Sequence, residues 1–116
     1  MHPGQLHPNE LECAILERIA RDEQWLQGPF ANLHVLSREY TGVGCYTNFV
    51  CDLPEAAGDR FPGLKPLLRL PNVPNGMGAI LWCRGRLPEC LELFTYGDDH
   101  WNGTYEGFYF EESSDV

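Results

Sequence analysis

Apolar and polar residues recur along this chain with two different periods, and the change of period divides it. From Asn9 to Leu26 the period is that of a helix. Leu11, Ala14, Ile15 and Ile19 fall along one side, Arg18 and Asp22 continue the line, and Leu16 and Ala20 widen it, while Glu17, Arg21 and Glu23 fall opposite. Asn9 suits an N-cap, Glu10 and Glu12 occupy the first turn where the helix dipole favours acids, and Gly28-Pro29 supplies a stop. Beyond Pro29 the period drops to two. Asn32–Tyr40 reads as a first strand, Thr41-Gly42 as a turn and Val43–Leu53 as a second strand, with Val43, Cys45, Thr47, Phe49 and Cys51 on one face. Strand, short turn, strand predicts an antiparallel hairpin.

Pro54–Asn75 breaks the alternation with repeated prolines. Pro54-Glu55-Ala56-Ala57 reads as the start of a short helical turn, and the remainder as a long ordered loop pinned by Phe61, Leu64, Leu67, Leu68 and Leu70. The longest apolar, β-favouring tract follows, Gly76–Gly97, broken by a turn signal at Arg84-Gly85-Arg86. It predicts a central hairpin. Ala79–Cys83 is apolar on both phases, the pattern of a strand covered on both faces. Pro88 puts an edge or a bulge at the start of the return strand. A two-residue and a three-residue turn give opposite registers there, and both stay open. Asn102-Gly103 is the strongest hairpin dipeptide in the chain. A tight turn at that point sets His100 opposite Tyr105 and Asp99 opposite Glu106, with Phe108–Phe110 as a last strand. These elements describe one α+β domain over residues 1–116, with an N-terminal helix packed on an antiparallel sheet of four or five strands, mostly in meander order, and frayed ends at 1–8 and 111–116.

Charge adds an asymmetry to this picture. The chain has 116 residues and a formal net charge of −9. Residues 1–86 hold nine of the seventeen acids and all eight Lys and Arg; residues 87–116 hold eight acids and no base. A field of that sign repels nucleic acid and anionic membrane and steers basic partners. No apolar run approaches the roughly 20 residues of a membrane span. Five cysteines, an odd number without C-x-x-C spacing and without a preceding signal peptide, are expected as free thiols in a reducing cytoplasm.

Three stretches carry candidate chemistry. Tyr96-Gly97-Asp98-Asp99-His100-Trp101, with Glu106, gathers carboxylates, an imidazole and aromatic rings. As a partner surface it joins Glu111 and Glu112 to give Tyr96, Asp98, Asp99, Trp101, Glu106, Glu111 and Glu112, aromatic and acidic together, which a basic protein would grip. As a metal site it offers Asp98, Asp99, His100 and Glu106, though at no spacing that defines a coordination geometry. In the second stretch, Gly42 and Gly44 form a G-x-G that leads into a strand rather than a helix, so a dinucleotide site fails on context; Arg38 beside it is free to pair with the acidic segment. The third is cysteine chemistry. Cys45 and Cys51 lie roughly 20 Å apart along one strand and cannot bond each other. His34 on the neighbouring strand is the base that would activate either.

Thr41 to Phe49, TGVGCYTNF, taken with Leu91 to Trp101, LELFTYGDDHW, resembles small bacterial proteins of about this length. They carry a T-G-x-G-x-Y segment, a G-M/L-G strand and a Y-G-D/E-x-W ending; Gly76-Met77-Gly78 matches the middle element. The resemblance covers about the last two thirds of the chain. It implies no activity, catalytic residue or cofactor.

The expectation from sequence is therefore a non-enzymatic, cytoplasmic, acidic binding protein that contacts a basic protein partner, as an inhibitor or immunity-type protein does, with no cofactor. The alternatives are a small divalent-metal domain or enzyme built on the Asp98–His100 and Glu106 cluster, and a DNA-mimicking protein. Exposed edge strands leave a homodimer open.

Overall fold

A computed structural model describes residues 6–51 and 58–112. One helix, α1 (Glu10–Asp22), packs on an open antiparallel sheet of seven strands: β1 (Val35–Tyr40), β2 (Gly44–Phe49), β3 (Asp59–Arg60), β4 (Leu67–Leu70), β5 (Val73–Arg84), β6 (Leu87–Thr95) and β7 (Tyr109–Glu111). The α+β class follows the sequence pattern. The sheet is larger than four or five strands, and it is not a meander. Its order is β1-β2-β6-β5-β4-β7, with β3 also on β5.

The prolines explain the difference. β5 is twelve residues long and pairs with β6 along one edge. Its other edge is covered piecewise, by β4, then by a bridge at Gly63, then by β3. Residues 58–70, expected as a loop, are thus an interrupted strand. Pro62 and Pro66 cannot donate to a ladder and so cut it into short pieces. Between them the backbone still engages β5, with Leu81 N donating to Pro62 O (2.8 Å) and Leu64 N to Ala79 O (2.9 Å). The short helical turn expected at Pro54–Ala57 lies outside the described residues.

The central hairpin closes with a two-residue turn, since Arg84 pairs with Leu87. Gly85 supplies the positive φ of 60° that the turn needs. Cys83 and Trp82 pair with Pro88 and Cys90, leaving Glu89 as the extra residue of a β-bulge. The bulge restores the apolar phase of β6 to the helix side, so that Leu91 and Leu93 meet Leu81 and Ala79.

The helix begins where the sequence puts it, with a capping box: Asn9 Oδ1 accepts from Glu12 N (2.8 Å) and Glu12 Oε1 accepts from Asn9 N (2.8 Å). It ends at Asp22, a turn earlier than the pattern suggests. Its buried face is Leu11, Ile15, Leu16 and Ile19, each about 2 kcal/mol of burial against the sheet. Both expected frayed ends are anchored within the described residues. Leu6 bridges to Val35, and β7 pairs with β4.

Glu12 also lies on the buried face, 2% exposed. Its carboxylate accepts from Arg38 Nη2 (2.7 Å) and Nε (2.9 Å), and from Thr47 Oγ1 (2.6 Å). Arg38 in turn donates to His7 O (3.0 Å). Arg38 therefore pairs with the helix, not with the acidic C-terminal segment. Burial pushes the Glu12 pKa up, but the donors from Arg38, Thr47 and Asn9 outweigh it and hold the carboxyl below its ordinary value. Four donors from three elements meet on one side chain.

Glu12→Gln is expected to cost about 3 kcal/mol in urea denaturation near neutral pH, because it leaves the largely buried Arg38 unpaired. A depressed carboxyl contributes stability that is complete above the unfolded value of about 4.3 and is lost as pH falls through the lower folded value. The gap between wild type and variant should therefore narrow below about pH 4. A gap that stays constant down to pH 2 would remove Glu12 ionisation as the cause.

Candidate functional site

Residues 97–108 do not form the hairpin that Asn102-Gly103 suggests. No ladder joins the segments on either side of that dipeptide among the described strands, and β7 pairs with β4 instead. The reason is local. Asn102 Oδ1 accepts from both Thr104 N (3.0 Å) and Thr104 Oγ1 (2.7 Å), so the side chain closes the turn in place of a partner strand. Asp99 is likewise committed. Its Oδ2 accepts from Asn75 N (2.8 Å) and its Oδ1 from Asn75 Nδ2 (3.3 Å), while Thr95 Oγ1 donates to its carbonyl (2.8 Å). Asp99 is the latch that ties this loop to the start of β5.

Trp101 is a core residue, 7% exposed. Its indole donates to Thr104 O (2.8 Å) and packs against Tyr40 with ring centroids 6.0 Å apart. Glu111 pairs with Arg69 (3.1 Å) and Glu112 with Arg18 (2.7 Å), which neutralises both. Of the seven residues expected to form a partner surface, Tyr96, Asp98 and Glu106 are exposed without an ion-pair partner among the described residues. The Asp98, Asp99, His100 and Glu106 set is not brought together as a metal centre. No group of three or more His, Cys, Asp or Glu placed to hold a metal ion occurs among the described residues. Shallow depressions surround the loop, of about 510 Å3 beside Tyr40, His100 and Trp101 and about 570 Å3 beside Glu10 and Tyr105.

Cysteine chemistry finds no support in the geometry. All five thiols are free. Burial pushes Cys83 up to about 12 and Cys90 up to about 11, and it also raises Cys45. Cys45 Sγ contacts Thr47 Oγ1 at 3.8 Å, and the His34 ring packs against His7 at 5.3 Å between centroids.

A different surface emerges from the strand registers. Thr47, Leu91 and Leu81 face the helix in one rung, as do Cys45, Leu93 and Ala79 in another. The alternate rungs face away: Glu39–Tyr46–Glu92–Ile80, Ser37–Asn48–Cys90–Trp82, and Gly44–Phe94–Gly78. No described helix covers them. Trp82 and Tyr46 are about 40% exposed, against the expectation that Ala79–Cys83 is covered on both faces. Phe61 packs edge-on to Trp82 at 4.8 Å, and Phe94 edge-on to Tyr96 at 5.6 Å. Gly78 makes room for the second pair, since a Cβ there would lie 2.5 Å from Tyr96 Oη and 2.7 Å from Phe94 Cζ.

Two carboxylates stand in this aromatic field, on either side of Tyr46. Glu92 accepts from Trp82 Nε1 (3.1 Å) and Glu39 from Asn48 Nδ2 (2.8 Å), both neutral donors. Neither is in an ion pair among the described residues. The Glu92 charge beside Tyr46 pushes its phenol above the ordinary value. Sequence reasoning passed over this face because its apolar members lie on four separate segments. The signal was there in the second phase of each strand: Tyr46 and Asn48, Ile80 and Trp82, Cys90, Glu92 and Phe94.

Comparison with protein-family models, with curated proteins and with solved structures returns no match.

The two adjacent aspartates should separate on substitution. Asp99→Ala is expected to cost about 1.5 kcal/mol by thermal denaturation, through loss of its charge-assisted bonds to Asn75. Asp98→Ala, exposed and without a described ion-pair partner, should stay within about 0.5 kcal/mol. Equal effects would remove the latch assignment.

Proposed function

We propose that this chain is a non-enzymatic, acidic binding protein whose partner is a basic protein, in the manner of an inhibitor or immunity-type protein. The observation that carries the reading is the aromatic face of the sheet that no described helix covers, with Glu39 and Glu92 in it. An interface rich in Trp, Tyr and Phe has large contact area and few rotamers to freeze. The two carboxylates give it a sign. The balance of ion pairs supports the same reading. Arg18, Arg38, Arg69 and Arg84 are each spent on an internal acid, and Arg60 stacks on Trp25 with its guanidinium carbon 4.6 Å from the ring centroid. Glu39, Glu92, Asp98 and Glu106 are left without an ion-pair partner among the described residues, in a chain whose acidic surplus gives a net charge of −9. Such a surplus accelerates encounter with a basic surface and disfavours acidic competitors. Among the described residues no helix is long and apolar enough to cross a membrane. The reading sets the encounter in the cytoplasm, which the five free thiols support.

Association is expected to be salt-sensitive. Affinity for the basic partner should fall at least about tenfold between about 50 and 500 mM NaCl, as screening shortens the reach of the acidic field. Capture on the immobilised chain at low salt from the native host, followed by salt elution, measures this. Recovery of no basic protein under those conditions would leave the reading without support.

A further inference from the structure

We infer that the face of the sheet turned away from α1, which no described helix covers, is a receptor for arginine side chains, with the carboxylates of Glu39 and Glu92 as the two anchoring points and the rings of Tyr46 and Trp82 as the walls. This rests on the basic-partner reading and names the chemical group that the partner brings. Glu39, Tyr46 and Glu92 occupy successive strands in one rung. Neighbouring strands lie about 4.8 Å apart, so the two carboxylates flank the Tyr46 ring at a separation of about 10 Å between backbones. The neutral donors fix both side chains in place. Asn48 Nδ2 holds Glu39 at 2.8 Å, and the Trp82 indole holds Glu92 at 3.1 Å. Each anion is therefore oriented without being neutralised, and each stands beside an aromatic ring.

That pairing selects among occupants. A second copy of this chain is disfavoured, because apposing two such faces brings carboxylates against carboxylates. Nucleic acid is disfavoured by the same sign. An ammonium group satisfies the charge and is drawn to a ring face as a point charge, but it has no plane to stack and no fork to match a carboxylate. A guanidinium has both: its planar fork donates to a carboxylate while its face stacks on an aromatic ring. The protein already uses this chemistry internally. Arg60 lies over the Trp25 ring, and Arg38 donates through two nitrogens to Glu12. The outer face has the same two components, ring and carboxylate, and no described arginine in an ion pair with its two acids.

Amide and indole NMR of the full chain tests the inference. The chain is titrated at low ionic strength with a short glycine-serine peptide bearing two arginines, and separately with the same peptide bearing two lysines. The Trp82 indole N–H is expected to shift with the arginine peptide, while those of Trp25 and Trp101 stay in place. The lysine peptide is expected to bind at least about threefold more weakly. The double variant Glu39→Gln, Glu92→Gln should weaken the arginine peptide at least about tenfold, whereas Asp98→Asn, Glu106→Gln, with the same change of charge, should weaken it less than about threefold. Equal binding of the two peptides overturns the arginine assignment. Equal loss in the two double variants, or shifts confined to the 97–108 loop, overturns the location. Either result leaves the basic-partner reading standing. If no resonance moves with either peptide, both fall together.

Discussion

A helix laid on one side of a sheet has a face to bury but no intrinsic register. Apolar contact is non-directional, and Leu11, Ile15, Leu16 and Ile19 would be buried almost as well after a small slide or rotation. Glu12 removes that freedom. Its two carboxylate oxygens receive four donors: the N-cap backbone of its own helix, two nitrogens of Arg38 on β1, and the hydroxyl of Thr47 on β2. The three that come from the sheet require the helix to sit at one height and one angle. An ionised group so deep in the structure tolerates no partial solution, because a lost donor leaves charge without compensation. The same group fixes the β1–β2 hairpin relative to α1. Through Arg38 it also reaches the carbonyl of His7, so the chain entering the helix is held as well.

Fixing the helix on one side determines what happens on the other. A single helix of thirteen residues packs on one face of a seven-stranded sheet, where Leu26, Phe30 and Trp101 from the loops join its core. The opposite face then needs either a polar surface or a partner. Asn48, Ser37 and Glu39 toward the β1 edge take the first course. Tyr46, Trp82, Phe94 and Tyr96 do not. Trp82 packs edge-on to Phe61 and Phe94 edge-on to Tyr96, which limits their exposure, with Gly78 leaving space for the second pair to lie against the backbone. The long β5, paired along both edges, gives this surface a rigid floor.

How much of this was legible depended on the distance over which each residue acts. The helix start was readable because Asn9 and Glu12 are three residues apart and complete their capping box alone. The β1–β2 hairpin and the inner phase of β2 were readable for the same reason. The turn at Gly85-Arg86 was not resolvable between its two registers until the bulge at Glu89 was seen, since the bulge changes the phase after the turn. Asn102-Gly103 misled because a side chain can close a turn without any strand to join. The partners of Glu12 lie 26 and 35 residues away, and that of Glu112 lies 94 residues away. Contacts at such separations leave no local periodicity. Glu12 therefore read as a first-turn acid, and Glu111 and Glu112 as free charge at a frayed end. The sequence asymmetry in charge was real, but the fold redistributes it.

That redistribution changes where an acidic surface should be sought. Counting along the chain puts the surplus in the last quarter, around Asp98 and Glu112. Counting through the fold subtracts Glu111 and Glu112, which meet Arg69 and Arg18, and commits Asp99 to Asn75. Glu39, from the balanced part of the sequence, is instead left beside Glu92 across a tyrosine. A charge in water, screened and solvated, contributes little to recognition. The same charge held in place by a neutral donor beside aromatic rings is oriented before any partner arrives, so less side-chain freedom remains to be lost on binding. By that criterion two oriented carboxylates on the sheet outweigh a larger number of acids at the chain's end.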